Sequence, residues 1–168
     1  MAYSLWLEPG HRQSQRLKRK IEQLSRQCGS ECFNSHVTIC SDIKSKPETS
    51  TLQALASRHL KPTLAALRTQ HSSKYFQCLS LALRRDKALL TLRADALRCI
   101  GGNSAAPYRP HISLVYANLN AVRRAAIAKN TSAALLSRCQ GSKLQLVLTD
   151  GPTSQWQVLE QHDLREQQ

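Results

Sequence analysis

Two short stretches place a histidine and a hydroxyl residue two positions apart inside apolar runs: "FNSHVTICS", with His36 and Thr38, and "PYRPHISLVY", with His111 and Ser113. In an extended strand, residues i and i+2 point to the same face, so each stretch presents an imidazole and a hydroxyl together. If the two strands lie side by side in a cleft, two imidazoles and two hydroxyls converge on a volume suited to one phosphate. In-line displacement at phosphorus needs a base that takes the proton of the incoming water and an acid that protonates the departing oxygen on the opposite side. With an ordinary imidazole pKa of about 6.5, one histidine can be neutral while the other is protonated, and such a pair can act without a metal or any other cofactor. Thr38 and Ser113 would then donate hydrogen bonds to the non-bridging oxygens, where charge builds in the transition state. A working assignment makes His111 the base and His36 the acid, and the sequence leaves the labels exchangeable. One such motif alone would read as an ordinary buried or edge histidine; the pair carries the chemistry.

Other chemistries find less support. Neither a G-x-S-x-G elbow nor a phosphate-cradling P-loop occurs. Cys28, Cys32, His36 and Cys40 recur every four residues and superficially supply four zinc ligands. Gly29 and the β-branched "VTI" argue against the continuous helix that would align them, and the close cysteine pairs of zinc loops are missing. His11, His59, His71 and His162 lack a hydroxyl partner at this spacing and are expected at the surface.

The elements that must position the two motifs read as alternating strands and helices. "YSLWL" is a strand stopped by Pro9 and Gly10, and Leu17, Ile21 and Leu24 follow at helical spacing up to Gly29. "HVTIC" is the next strand; a helix through Leu52, Leu55 and Ala56 follows, restarting at Pro62 and running on through Leu64 and Leu67. "YFQCLSLAL" (75–83) reads as a strand, 87–100 as a helix, and "GGNSAAPYRP" (101–110) as a loop stiffened by Pro107 and Pro110 where it approaches His111. "HISLVY" is a strand, a helix falls within 119–137, and "KLQLVLTD" and "SQWQVLE" form a terminal pair of strands around a Gly-Pro turn. The order indicates an α+β fold.

A chain of 168 residues suits one domain, 1–168, and each half of the sequence holds one of the two motifs. No apolar run approaches the roughly 18 residues needed to span a bilayer, and the first residues lack a basic region followed by an extended apolar one. The expectation is a cytoplasmic monomer with free thiols and no membrane partner. The charge is the compositional outlier: 24 Lys and Arg against 11 Asp and Glu give a net +13, which favours an anionic partner. Much of it clusters at Arg12, Arg16, Lys18, Arg19, Lys20 and Arg26, where an amphipathic helix would expose it.

The two motifs, with "YSLWLEP", "YFQCLSL" and "TDGPTSQWQVLE" in the same order and at similar spacing, resemble the 2H phosphoesterase superfamily, and within it the plant and fungal cyclic phosphodiesterases. The resemblance implies a bilobal fold with two antiparallel sheets facing across a central cleft and helices outside. It also implies hydrolysis of ADP-ribose 1″,2″-cyclic phosphate to ADP-ribose 1″-phosphate, a late step in handling the by-product of tRNA splicing, and of nucleoside 2′,3′-cyclic phosphates to 2′-phosphates. A small nucleotide cyclic phosphate is then the partner, and His36, Thr38, His111 and Ser113 are the catalytic set. Trp6 and Tyr116 match aromatic positions lining the nucleotide pocket, although strand parity sets Tyr116 opposite His111 unless the strand ends before it. The family's usual proline before the first histidine is Ser35 here. The alternative is an RNA-end enzyme like the bacterial 2′,5′ RNA ligase-like proteins, and it turns on whether the basic residues line the cleft or the outer helices.

Overall fold

The computed structural model describes residues 1–104 and 107–166. Strand β1 (Tyr3–Pro9) leads through Gly10 into helix α1 (His11–Cys28), which buries Leu17, Ile21 and Leu24 on one face. Gly29 ends the helix in the left-handed conformation (φ 65°), its N–H donating to the Ser25 carbonyl, a conformation that costs glycine nothing. Strand β2 (Val37–Ile43) carries the first motif and α2 (Thr49–Arg58) follows.

The expected continuation of that helix beyond Pro62 does not occur. The chain instead forms two strands, β3 (Thr63–Leu64) and β4 (Ala66–His71), because Pro62 cannot supply a helical N–H and "ALRTQH" finds a partner along the next strand. That partner, β5 (Leu79–Leu83), is shorter than expected, since Tyr75–Gln77 turns as a single 3-10 helix. Helix α3 (Lys87–Ile100) starts at Asp86, whose carboxylate accepts from the Leu89 N–H at 3.1 Å. Strand β6 (His111–Val115) carries the second motif, and α4 (Ala121–Lys129) is capped by the Asn120 side chain. Strands β7 (Cys139–Leu148) and β8 (Gln157–Asp163) close the described chain.

All named strand pairs are antiparallel. The order is β3-β7-β1-β2-β6-β5-β4, with β8 beside the other end of the long β7. The α+β class therefore holds. The sheet falls into two parts that meet edge to edge at β2 and β6 through one residue pair, Val37 with Ile112. Around that joint the arrangement repeats itself: β1-α1-β2 on one side and β5-α3-β6 on the other, with α1 packing across onto β6 and α3 across onto β2. Leu7, Val37, Leu81 and Ile112 pair in register across the middle strands and are fully buried beneath these helices. Truncating one of these leucines to alanine costs about 2–5 kcal/mol.

Two of the four histidines expected at the surface lie deeper. His59 is buried at the end of α2, its Nε2 3.0 Å from the Asp95 carboxylate, and His162 is half-buried beside Glu160. No helix among the described residues is long and apolar enough to cross a membrane.

Candidate active site

The single joint between the two halves decides what faces what. With Val37 paired to Ile112, the antiparallel register sets His36 across from Ser113 and Thr38 across from His111. Val37 and Ile112 point into the core, so alternation turns all four flanking side chains to the opposite face. The four residues singled out by spacing are thus brought together from positions 75 residues apart.

Both imidazoles are oriented in the same way. His36 Nδ1 lies 2.7 Å from the Asn34 carbonyl, and His111 Nδ1 lies 2.9 Å from the Arg109 carbonyl. A carbonyl only accepts, so each Nδ1 carries the hydrogen and each Nε2 is left to act on a ligand. Their surroundings differ. His36 is 5% exposed and stacked on the Trp6 indole, with centroids 3.5 Å apart and planes 5° from parallel, and Phe33 meets it edge-on at 6.4 Å. Burial pulls the His36 pKa down to about 4, with the His111 charge adding to the depression against the opposing pull of the Asn34 carbonyl. His111 is partly exposed, and no ring packs against it among the described residues.

The hydroxyls are held differently too. Ser113 is buried and donates to the Phe76 carbonyl at 2.7 Å, so it must rotate off that carbonyl to serve a phosphate oxygen. Thr38 is half-buried, and its carbonyl accepts from the Tyr108 hydroxyl at 2.8 Å. Tyr108 belongs to the loop before His111, and Arg93 ties that loop to β2 by lying 4.2 Å over the Tyr108 ring while donating to the carbonyls of Ile39 and Asn103. Gly102 sits so close to the Ser41 carbonyl (2.7 Å from where a Cβ would stand) at φ 111° that only glycine fits. The approach to the second motif is therefore stapled onto the strand of the first.

Tyr116 resolves its parity problem because β6 ends at Val115. It joins the rings beside His36, buried at 3% exposure and stacked on Phe33 with centroids 3.7 Å apart. Ser35, in place of the family's proline, is buried with its hydroxyl 3.4 Å from that of Ser14 in α1. The would-be zinc ligands do not converge: Cys28 closes α1, Cys32 is exposed and Cys40 is buried in β2. Among the described residues no group of three His, Cys, Asp or Glu gathers around one point. All six cysteines are free thiols, and burial pushes Cys40 up to about 11, which keeps it protonated and unreactive.

The cyclic phosphodiesterase-like protein family matches this chain over residues 1–164. The chain belongs to that family. A curated cyclic phosphodiesterase from Arabidopsis thaliana is 28% identical over 119 residues, 70% of this chain, and the match spans 66% of that relative's length. Among solved structures, a phosphoesterase superposes with a TM-score of 0.60 at 16% identity, covering 97% of this chain and 98% of the other. The apo form of LigT from E. coli gives 0.59 at 15%, covering 98% of each chain. These neighbours share the 2H phosphoesterase fold.

In this cyclic phosphodiesterase-like chain the largest feature that spacing did not reveal is aromatic. Six of the eight aromatic residues, Trp6, Phe33, Tyr75, Phe76, Tyr116 and Trp156, form one connected set of ring contacts that begins at His36. Trp6 is closed off by the imidazole and Tyr116 by Phe33, whereas Phe76 is 51% exposed and lies 5.8 Å from Trp156, centroid to centroid. Phe33, three residues ahead of His36, was the one local hint.

Proposed function

We propose that this protein hydrolyses cyclic phosphodiesters of nucleotides, converting nucleoside 2′,3′-cyclic phosphates to 2′-phosphates and ADP-ribose 1″,2″-cyclic phosphate to ADP-ribose 1″-phosphate. The observation that carries the reading is the pair of imidazoles, one from each half of the sheet, with both Nδ1–H groups engaged by the carbonyl two residues back and both Nε2 atoms left for substrate. The crystal structures of LigT with 3′-AMP and with ATP support nucleotides as ligands for this fold.

In this proposal His36 is the base and His111 the acid, the reverse of the working assignment. A buried imidazole with a pKa of about 4 is neutral at pH 7, and its Nε2 lone pair takes the proton from water. The water oxygen forms the new bond to phosphorus, and the P–O bond to the departing ribose oxygen breaks. The His111 imidazolium supplies that oxygen's proton. Thr38 and the rotated Ser113 donate to the non-bridging oxygens. Phe76 and Trp156 are the ring faces open to a base, so they take the stacking role that the resemblance assigned to Trp6 and Tyr116.

The test is turnover of a 2′,3′-cyclic mononucleotide and of ADP-ribose 1″,2″-cyclic phosphate by purified protein, with the product's phosphate position read by phosphorus NMR. A 2′-phosphate or 1″-phosphate product is expected. A 3′-phosphate, or no turnover of either substrate, sinks the reading.

A further inference from the structure

Strand register puts three arginines on the same face of the sheet as the two histidines. Ala82 of β5 pairs with His111 of β6 on one side and with Arg68 of β4 on the other, so these three residues form one row on one face. That face is turned away from the helices: the alternate residues Leu81 and Ile112 are fully buried in the core, and Thr69, next to Arg68, turns the other way to donate to the Thr131 carbonyl just after α4. The ladder also runs past the strand ends. The Leu83 N–H donates to the Pro110 carbonyl and the Arg84 N–H to the Ala65 carbonyl, which sets Arg84 across from Arg109. Pro110 is buried and Tyr108 lies under Arg93 of α3, so both face the helices, and alternation returns Arg109 and Arg84 to the face of His111 and Ala82.

With strands about 4.8 Å apart, Arg68 stands roughly 10 Å from His111, and the small Ala82 side chain leaves the floor between them low. Arg68, Arg84 and Arg109 are all exposed, and none makes a side-chain hydrogen bond or an ion pair among the described residues. Arg84 and Arg109 are like charges directly across a strand pair, an arrangement that costs stability. The acid nearest to them in sequence, Asp86, is committed to the Leu89 N–H at the start of α3. Such a trio is neutralised only by an anion from outside the fold. The arginines of α1 differ, since Arg12, Arg16, Arg19 and Arg26 are exposed on the outer side of a helix whose other side packs into the core.

The trio and the exposed rings flank the site from opposite ends. Strand β6 runs from His111 to Ser113, whose hydroxyl reaches the Phe76 carbonyl, and Phe76 touches Trp156; Arg84 and Arg109 lie beyond the other end, before His111. In a ribose cyclised through its 2′ and 3′ oxygens, the base leaves C1′ and the 5′ carbon leaves C4′, on either side of the cyclised edge. With the base on the rings and the cyclic phosphate between the imidazoles, the 5′ carbon points toward the arginines. We propose that Arg68, Arg84 and Arg109 bind a phosphate on the 5-carbon of the cyclised ribose, so that the protein selects 5-phosphorylated cyclic phosphates over their 5-hydroxyl forms. This rests on the hydrolase reading for the reaction, and the binding is measurable apart from it. A planar guanidinium meets a phosphate with two parallel charged hydrogen bonds that a neutral hydroxyl cannot match. The group is remote from the reacting phosphorus, so its contribution falls on KM.

The experiment measures kcat/KM on adenosine 2′,3′-cyclic phosphate with and without a 5′-phosphate, for wild type, R68Q, R84Q/R109Q and R16Q/R19Q. The last variant removes two charges from the outer side of α1. Wild type should prefer the 5′-phosphorylated substrate by about tenfold or more, the worth of a charged hydrogen bond, and chiefly through KM. In R84Q/R109Q the preference should shrink to under about threefold, in R68Q it should fall part of the way, and in R16Q/R19Q it should persist. The ratio is internal to each variant, so a general disturbance of His111 slows both substrates and leaves it unmoved. A wild-type preference under about threefold, a preference that R84Q/R109Q retains, or an equal loss in R16Q/R19Q overturns the proposal. If wild type turns over neither substrate, the hydrolase reading fails, and calorimetry with adenosine 2′,5′-bisphosphate against adenosine 2′-phosphate decides the arginine site. Tighter binding of the bisphosphate that is lost in R84Q/R109Q upholds it, and equal affinities overturn it.

Discussion

His36 and His111 occupy the same place in two motifs of the same type, and each gives its Nδ1 hydrogen to the carbonyl two residues earlier. They differ in what lies over them: an indole and a phenyl ring on His36, and no ring on His111 among the described residues. Local geometry therefore makes the two imidazoles alike, and packing makes them unlike. A two-histidine displacement needs that inequality, because two groups of equal proton affinity share one protonation state for most of the pH range.

The largest effect should come from removing either partner. H36Q and H111Q should each lower kcat by about 10² to 10⁴ with the fold intact by circular dichroism, and a loss under tenfold in either would break the pairing. Next is acid stability. Below pH 6.5 the unfolded chain takes up a proton at the first imidazole that the folded protein refuses until about pH 4. Stability from this group is complete above about 6.5 and falls by up to roughly 1.4 kcal/mol per unit as pH drops through that window. Urea melts should show this slope in wild type and lose it in H36Q but keep it in H111Q.

Smaller shifts sharpen the comparison further. The acidic limb of log kcat/KM against pH should lie near 4, and W6L, by letting water reach the imidazole, should move it up by about one unit. An unmoved limb would mean that the ring overhead does not set the proton affinity. Finally, Y108F removes the donor to the Thr38 carbonyl and should cost about 1 kcal/mol in a urea melt, with a higher KM from a loosened approach to His111.

The four residues of the candidate site were legible because strand alternation is local: His36 and Thr38 share a face wherever the strand goes. Helices α1 and α3 were legible for the same reason, their apolar spacing and stop signals lying within one element. What could not be read depended on partners distant in sequence. Residues 63–71 carry leucines at helical spacing, and only the distant partners β7 and β5 turn them into β3 and β4. His59 goes inside because Asp95, 36 residues later, is there to receive it. The ring contacts join residues from position 6 to position 156, and the staple of Tyr108 on Thr38 crosses 70 residues, so neither has a signature in any short window.

The stacking of Trp6 on His36 has a consequence outside catalysis. Trp6 and Trp156 are the only tryptophans of the chain, and their rings touch at the site, so the intrinsic emission of the whole protein originates there. An imidazolium against an indole quenches its emission far more than a neutral imidazole does. The protein thus carries its own optical gauge of the proton on the first histidine, readable without label or substrate.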